Sequence, residues 1–177
     1  TWIEKVFYKT PFFIKSLENK KVAGSYNLTL EGSINSSRLF GLGFSAFAIR
    51  VYKICNSLNK SDILPFKNYL LSFKNEDNYF EDKYISKKTF ILRILRSLKN
   101  KDLRFINNNY TKLAETRQAL AALMNLGVNV KNYLPIDFLK LDYKIFLSTL
   151  NWNKPWSSCS YINHFLFLNN YLISDTS

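Results

Sequence analysis

The sequence predicts an all-α protein, and three observations carry that prediction. Apolar residues recur at three- and four-residue spacing in one stretch after another, which is the period of a helix. Helix breakers are sparse, with five Gly and four Pro in 177 residues. No stretch alternates apolar and polar side chains for long enough to read as a strand in a sheet. The expected architecture is seven helices joined by short loops and paired as antiparallel hairpins, in one domain over 1–177. Within it, 1–38 reads as an irregular N-terminal segment and 39–173 as the hairpins. No repeat of fixed period is visible, which argues against a regular solenoid.

The first element, Trp2 to Leu17, reads as a helix broken at Pro11, because proline disfavours a helical residue before it. Asn19 to Arg38 is a polar connection with Gly24 and Gly32, in which Tyr26, Leu28 and Leu30 suit a short extended segment. Phe40 to Leu58 is the second helix. Phe44, Phe47, Ala48, Val51, Ile54, Cys55 and Leu58 form its expected buried face, with Ala46, Arg50, Lys53 and Ser57 outside. Gly41 and Gly43 lack the third glycine and the preceding strand of a phosphate-cradling loop, so close helix packing is their expected role. Ser61 or Asp62 caps a third helix, which turns Ile63, Phe66, Leu70 and Phe73 inward. Phe73 to Asp82 is a turn rich in aromatics and acids. Ser86 caps a fourth helix, with Phe90, Ile91, Ile94, Leu95 and Leu98 as its apolar residues, and Asn107 to Asn109 form the next loop.

The fifth helix, Tyr110 to Val128, is the clearest in the chain. Leu113, Leu120, Leu123, Met124 and Leu126 build its apolar face, and Thr111, Glu115, Gln118 and Asn125 fall opposite. Ala114, Ala119, Ala121 and Ala122 favour helix and let a neighbour approach closely. Gly127 suits a left-handed C-terminal cap, with Val128 as its apolar partner. Arg117 stands at the edge of the apolar arc, where a charge needs a carboxylate or several carbonyls. It either reaches a polar cavity with Glu115, or snorkels past alanines to water or ties two helices together. Pro135 opens a sixth helix with Phe138, Leu139, Leu141, Ile145, Phe146 and Leu150. The loop Asn151 to Ser158 leads into a seventh helix that runs through Tyr171.

Composition narrows the classes. Hydrophobic residues make up 47% and aromatics 16% of the chain, which excludes disorder. The net charge of +12 usually points to nucleic acid or an anionic surface. Here Lys rises together with Asn, Ile, Phe and Tyr, all encoded by AT-rich codons, so nucleic acid is not the expected partner. Cys55, Cys159 and the single His164 have no metal-ligand spacing, and no metal or cofactor is expected. Both thiols read as reduced and buried. The longest apolar run, Leu39 to Ile49, is too short to span a bilayer. No basic-then-apolar leader opens the chain. The location is left open, with the cytoplasm favoured.

Three stretches resemble a known family. Phe73-Lys74-Asn75-Glu76-Asp77-Asn78-Tyr79-Phe80 resembles the Phe-Gln-x-x-Asp-Gly-x-Phe/Trp turn between helices of α/α-toroids, the fold of terpenoid cyclases and protein prenyltransferases. Glu115-Thr116-Arg117-Gln118-Ala119, closed by Leu126-Gly127, resembles the helix that often follows such turns. Trp152 to His164 resembles the loop-then-helix segment of toroid proteins, some of them related to polysaccharide metabolism, as in six-hairpin glycosidases. Lys74 replaces Gln, and Asn78 replaces Gly at a position where Asn tolerates the left-handed conformation. The acid clusters associated with terpenoid ionisation are absent. The resemblance implies part of an α/α toroid, and a start at Thr1 without Met agrees with a piece of a larger protein.

Two sets of residues are candidates for chemistry. Asp77 and Asp82 on the turn, with Glu115, Arg117 and His164, form the catalytic set for a hydrolase or lyase acting on a glycan or other anionic ligand. Trp152, Trp156 and Tyr161, with Gln118, form the substrate-binding set, the tryptophans as a stacking platform. The bland accounts are that Asp77 bonds its own turn, that the tryptophans seal a hairpin, and that His164 is a satisfied helix residue. The basic stretch Lys83 to Lys112 adds a face for phosphates, or a solvated surface. Three functions therefore compete. A glycan-related enzyme needs Arg117 and His164 facing one concave site. A non-catalytic helical interaction module needs a large apolar surface left open and no deep pocket. A nucleic-acid binder would use the basic face. An incomplete toroid would also tend to dimerise through its open edge.

Overall fold

The computed structural model describes residues 1–27, 41–101, 109–135, 142–148, 150, 152, 153 and 155–173. Side chains at 84–89, 100, 109, 110, 157 and 170–173 lie outside that description. The chain is all-α. The described residues form α1 (Trp2–Ser16), α2 (Gly41–Ile54), α3 (Lys60–Leu71), α4 (Lys83–Asn100), α5 (Asn109–Asn125), α6 (Tyr143–Ser148) and α7 (Pro155–Ile173). A 3-10 turn, Lys131–Tyr133, follows α5. Extended pairing among them is confined to two isolated bridges, Glu18 with Tyr26 and Lys74 with Phe80. Of the described helices, none is long and apolar enough to cross a membrane.

Packing centres on α2 and α5. Helix α2 packs on α5, α3 and α1, and α5 also meets α7 and α3. Small residues permit this. Ser45, Ala46 and Ala48 of α2 and Ala119 and Ala122 of α5 are all buried. Small side chains let backbones approach, and the larger Leu42, Ile49, Leu120 and Leu123, also buried, fill the space beside them. Gly41 has the packing role expected of it, because a Cβ there would fall 1.7 Å from the Tyr69 hydroxyl. The expected buried face of α2 needs correction. Phe47 and Ile54 are exposed, whereas Ala46 is buried. Counting apolar bulk placed the face wrongly, since three neighbours surround α2 and they select its small residues.

Helix α1 is also corrected. It runs unbroken through Pro11. Proline deletes one helical hydrogen bond and crowds the carbonyl four residues back. That carbonyl belongs to Phe7, on an exposed turn where water can satisfy it. Thr1 starts the helix with a capping box to Glu4. At its other end, Ile14 and Leu17 are buried, and Lys15 reaches Glu18 at 2.8 Å and Asp62 of α3 at 3.8 Å.

The loop after α1 returns to the core through Tyr26. Its amide donates to Ser45 Oγ at 3.2 Å, its ring stacks on Phe66 at 5.3 Å, and its hydroxyl meets that of Tyr52 at 3.2 Å. Gly24 makes the return possible. Its φ is +79°, and a Cβ would lie 2.5 Å from the Pro65 carbonyl oxygen.

The C-terminal cap of α5 forms as expected. Gly127 adopts φ +77°, its amide donates to the Met124 carbonyl at 2.9 Å, and the Val128 amide donates to the Leu123 carbonyl at 3.0 Å. Helix starts are less well foreseen. Asn59, not Ser61 or Asp62, precedes α3, and Ser86 lies inside α4 rather than capping it. Pro135 is buried, residues 136–141 after it lie outside the described ones, and α6 is described from Tyr143, after Asp142. The Asp142 carboxylate accepts from the amides of Lys144 at 2.7 Å and Ile145 at 3.3 Å. Phe146 of α6 stacks on Phe165 of α7 at 4.4 Å. Cys159 is exposed and Cys55 half-buried, so neither thiol is the buried one expected. The expectations for Leu28, Leu30, Gly32, Leu39, Phe40, Asn107, Asn108, Phe138, Leu139, Leu141 and Asn151 lie outside the described residues.

Candidate functional site

The Phe73–Asp82 turn and α5 build one polar site between them. Asn78 takes the left-handed conformation expected of it, with φ +64°. Its amide group donates to the Leu134 carbonyl at 3.1 Å, and its carbonyl accepts from Lys74 Nζ at 2.8 Å. Asn75 closes the turn by accepting from the Tyr79 amide at 2.9 Å. The turn then presents two main-chain amides to α5. The Phe80 amide donates to Thr116 Oγ1 at 3.0 Å, and the Asp82 amide donates to the Glu115 carboxylate at 2.9 Å. The Thr116 hydroxyl in turn donates a hydrogen bond to the Lys112 carbonyl at 2.7 Å.

This is why Glu115 is buried instead of facing water as its place on the helix suggested. It is 7% exposed, and Thr116 and Asp82 are 0% and 3% exposed. Burial raises the Glu115 pKa to about 7. The hydrogen bond from Asp82 pulls the other way, while the charges of Asp82 and Glu81 add to the rise. Tyr69 stands near Asp82. Burial raises its pKa, the hydrogen bond from Ser25 at 3.1 Å lowers it, and the Asp82 charge raises it again.

A second pair forms where α5 meets α7. His164 is 2% exposed. Burial lowers its pKa to about 4, and the Arg117 charge adds to that, so the ring is neutral at pH 7. Arg117 is half-buried, and its Nε is shielded from solvent with no hydrogen-bond partner. Glu115 and Arg117 are two residues apart, which turns them about 200° around the helix. They leave α5 on different sides, Glu115 toward the Asp82 amide and Arg117 toward His164.

The remaining candidates are dispersed. Asp77 is exposed at the tip of the turn. Trp152 and Trp156 are 59% and 88% exposed. Tyr161 is half-buried against the core. Gln118 is half-buried, with Oε1 3.6 Å from where a Gly43 Cβ would stand. A groove of about 290 Å³ lies on α1, open to solvent and lined by Lys5, Val6, Lys9, Thr10 and Phe13, and no candidate residue borders it. Among the described residues, no group of three or more His, Cys, Asp or Glu is placed to hold a metal ion.

Sequence reasoning missed two features. One is Thr116, whose hydroxyl serves both the turn and the helix; its place beside Glu115, one residue on, was the available signal. The other is larger. Trp2, Ile3, Val6, Phe7, Tyr8, Phe12 and Phe13 of α1 are 47–74% exposed. Phe90, Ile91, Leu92, Leu95 and Leu98 of α4 are 47–70% exposed, while Ser97 of the same helix is 2% exposed. The apolar side of α4 therefore faces out. Among the described residues, α1 and α4 thus carry outward apolar faces on an all-α fold. Comparison of the chain with known protein families, curated proteins and solved structures finds no match.

Proposed function

We propose that this chain is a non-catalytic helical interaction module that engages its partners through α1 and α4. The observation that carries the reading is the outward apolar side of α4, with Ile91 67% and Leu98 70% exposed. A contiguous apolar face of this kind marks a surface that something else covers. The rest of the design agrees. Asp82 and Glu115 are sealed in the core, where a substrate has no approach, and the groove on α1 is open and shallow in chemistry, with two lysines and no acid.

The test is site-specific photo-crosslinking in cells. A photoreactive residue replaces Leu95 on α4, Val6 on α1, or the exposed polar Asn68 on α3. Discrete adducts at the first two positions and none at Asn68 are expected. No adduct at Leu95 or Val6 would sink the proposal.

A second reading has one observation in its favour. A carboxyl held near pH 7 beside another carboxylate suits general acid–base work. That reading is a glycan-related hydrolase or lyase assembled from α/α-toroid hairpins. It requires release of reducing ends or unsaturated products from an anionic polysaccharide, abolished by Glu115→Gln and Asp82→Asn. Turnover that survives both changes removes it.

A further inference from the structure

The outward face of α4 has a definite chemistry. Ile91, Leu95 and Leu98 recur at the spacing one helix presents to another, and Leu92 widens the ridge. All four are aliphatic and more than half exposed. The charges beside them have one sign. From Lys83 to Lys101 the chain holds Lys83, Lys87, Lys88, Arg93, Arg96, Lys99 and Lys101, and no Asp or Glu. Arg96, Lys99 and Lys101 are exposed. Lys99 follows Leu95 by one helical turn, and Arg96 flanks Leu92, so a cationic edge runs along the ridge.

We propose that this face docks an acidic amphipathic α-helix of a partner protein. The proposal rests on the interaction-module reading and names the occupant of one of its two faces. The spacing selects a helix, which lays its own apolar residues between Ile91, Leu95 and Leu98. The charge selects an acidic one, since complementary flanks steer and orient such a pair. It also disfavours a second copy. Two α4 helices would bring their cations together. The exposed acids of the chain's own turn, Glu76 and Asp77, adjoin Tyr79 and Phe80, whose rings are already buried. A lipid surface is the other occupant a basic, leucine-lined face suits, and the experiment below tells the two apart.

The experiment titrates the full chain with two stapled helical peptides. Both carry leucines one and two turns apart; one has Glu on the flanks, the other Lys. The expected result is about tenfold tighter binding of the Glu peptide, the sum of a few exposed ion pairs. That binding should weaken with salt and vanish in Leu95→Gln. In the double variant Arg96→Glu, Lys99→Glu the preference should invert, which excludes a merely structural effect. Equal affinity for the two peptides, or none for either, overturns the proposal. So does binding confined to anionic lipid vesicles, or a dimer that Leu95→Gln abolishes. If crosslinks form at Leu95 while the Glu peptide is not preferred, the module stands and this occupant falls. If no crosslinks form anywhere, the module itself falls.

Discussion

Helices α5 and α4 are 17 and 18 residues long and mix apolar and polar side chains, yet they face the protein in opposite senses. Helix α5 buries polar residues, Glu115 and Thr116, along with its leucines. Helix α4 exposes its leucines and buries Ser97. The difference lies in the neighbours. Beside α5, the turn offers two main-chain amides that need acceptors, and a buried polar group is tolerated where its hydrogen bonds are met. Beside α4 the apolar ridge has nothing over it among the described residues. Helix amphipathicity tells which side is apolar; it does not tell which side is in.

The largest expected effect sets the scale of the contrast. Leu123→Ala on α5 removes a side chain with 0% exposure. The expected loss is about 2–5 kcal/mol, read from the urea midpoint at unchanged slope. Next comes Thr116→Val. The shape is kept, but the buried Phe80 amide loses its acceptor, at a cost of about 1–3 kcal/mol. Faster hydrogen exchange at that amide would locate the loss; an unchanged rate would mean that Thr116 does not hold the turn. Gly127→Ala should cost about 1–2 kcal/mol through backbone strain alone. A Cβ there meets nothing within 4 Å, so Gly127→Asn should recover part of the loss.

The pH profile probes the polar side of α5. Glu115 has a folded pKa of about 7, raised from 4.5, so between those values the native state keeps a proton that the unfolded chain has lost. Its contribution to stability is full below 4.5 and is lost as the pH rises through 7. His164 works in the other direction. Its pKa falls from 6.5 to about 4, so its contribution is full above 6.5 and is lost as the pH falls through 4. The two oppose each other in the acid range, and above pH 6.5 only the Glu115 loss continues. After allowance for solvent screening, that loss is on the order of 1 kcal/mol. Thermal melts across this range should show it in the parent and not in Glu115→Gln; a slope that persists assigns it elsewhere.

The smallest effect belongs to α4. Leu95→Ala should change stability by less than about 0.5 kcal/mol. A loss as large as that of Leu123→Ala would mean that the ridge is part of the core, and the comparison would break.

The elements were legible to different depths. The fifth helix could be read with its cap because Gly127 and Val128 are local signals, set by backbone sterics within one turn. The turn at Asn78 was legible for the same reason. Pro11 misled because its effect depends on whether the carbonyl it displaces can meet water. Glu115 misled because the partner of its carboxylate, the Asp82 amide, lies 33 residues earlier in the chain. Arg117 and His164 were expected to face one site, and the two do approach each other where α5 meets α7.

The sequence by itself determined the all-α class, the helix-forming stretches and the left-handed positions, because these follow from periodicity and φ preferences over a few residues. Only the tertiary structure decided which faces are buried. Burial of Ala46 and Glu115, and exposure of Leu95 and Trp156, depend on what distant segments bring alongside. That is a property of packing and of hydrogen-bond partners, and no local pattern encodes it.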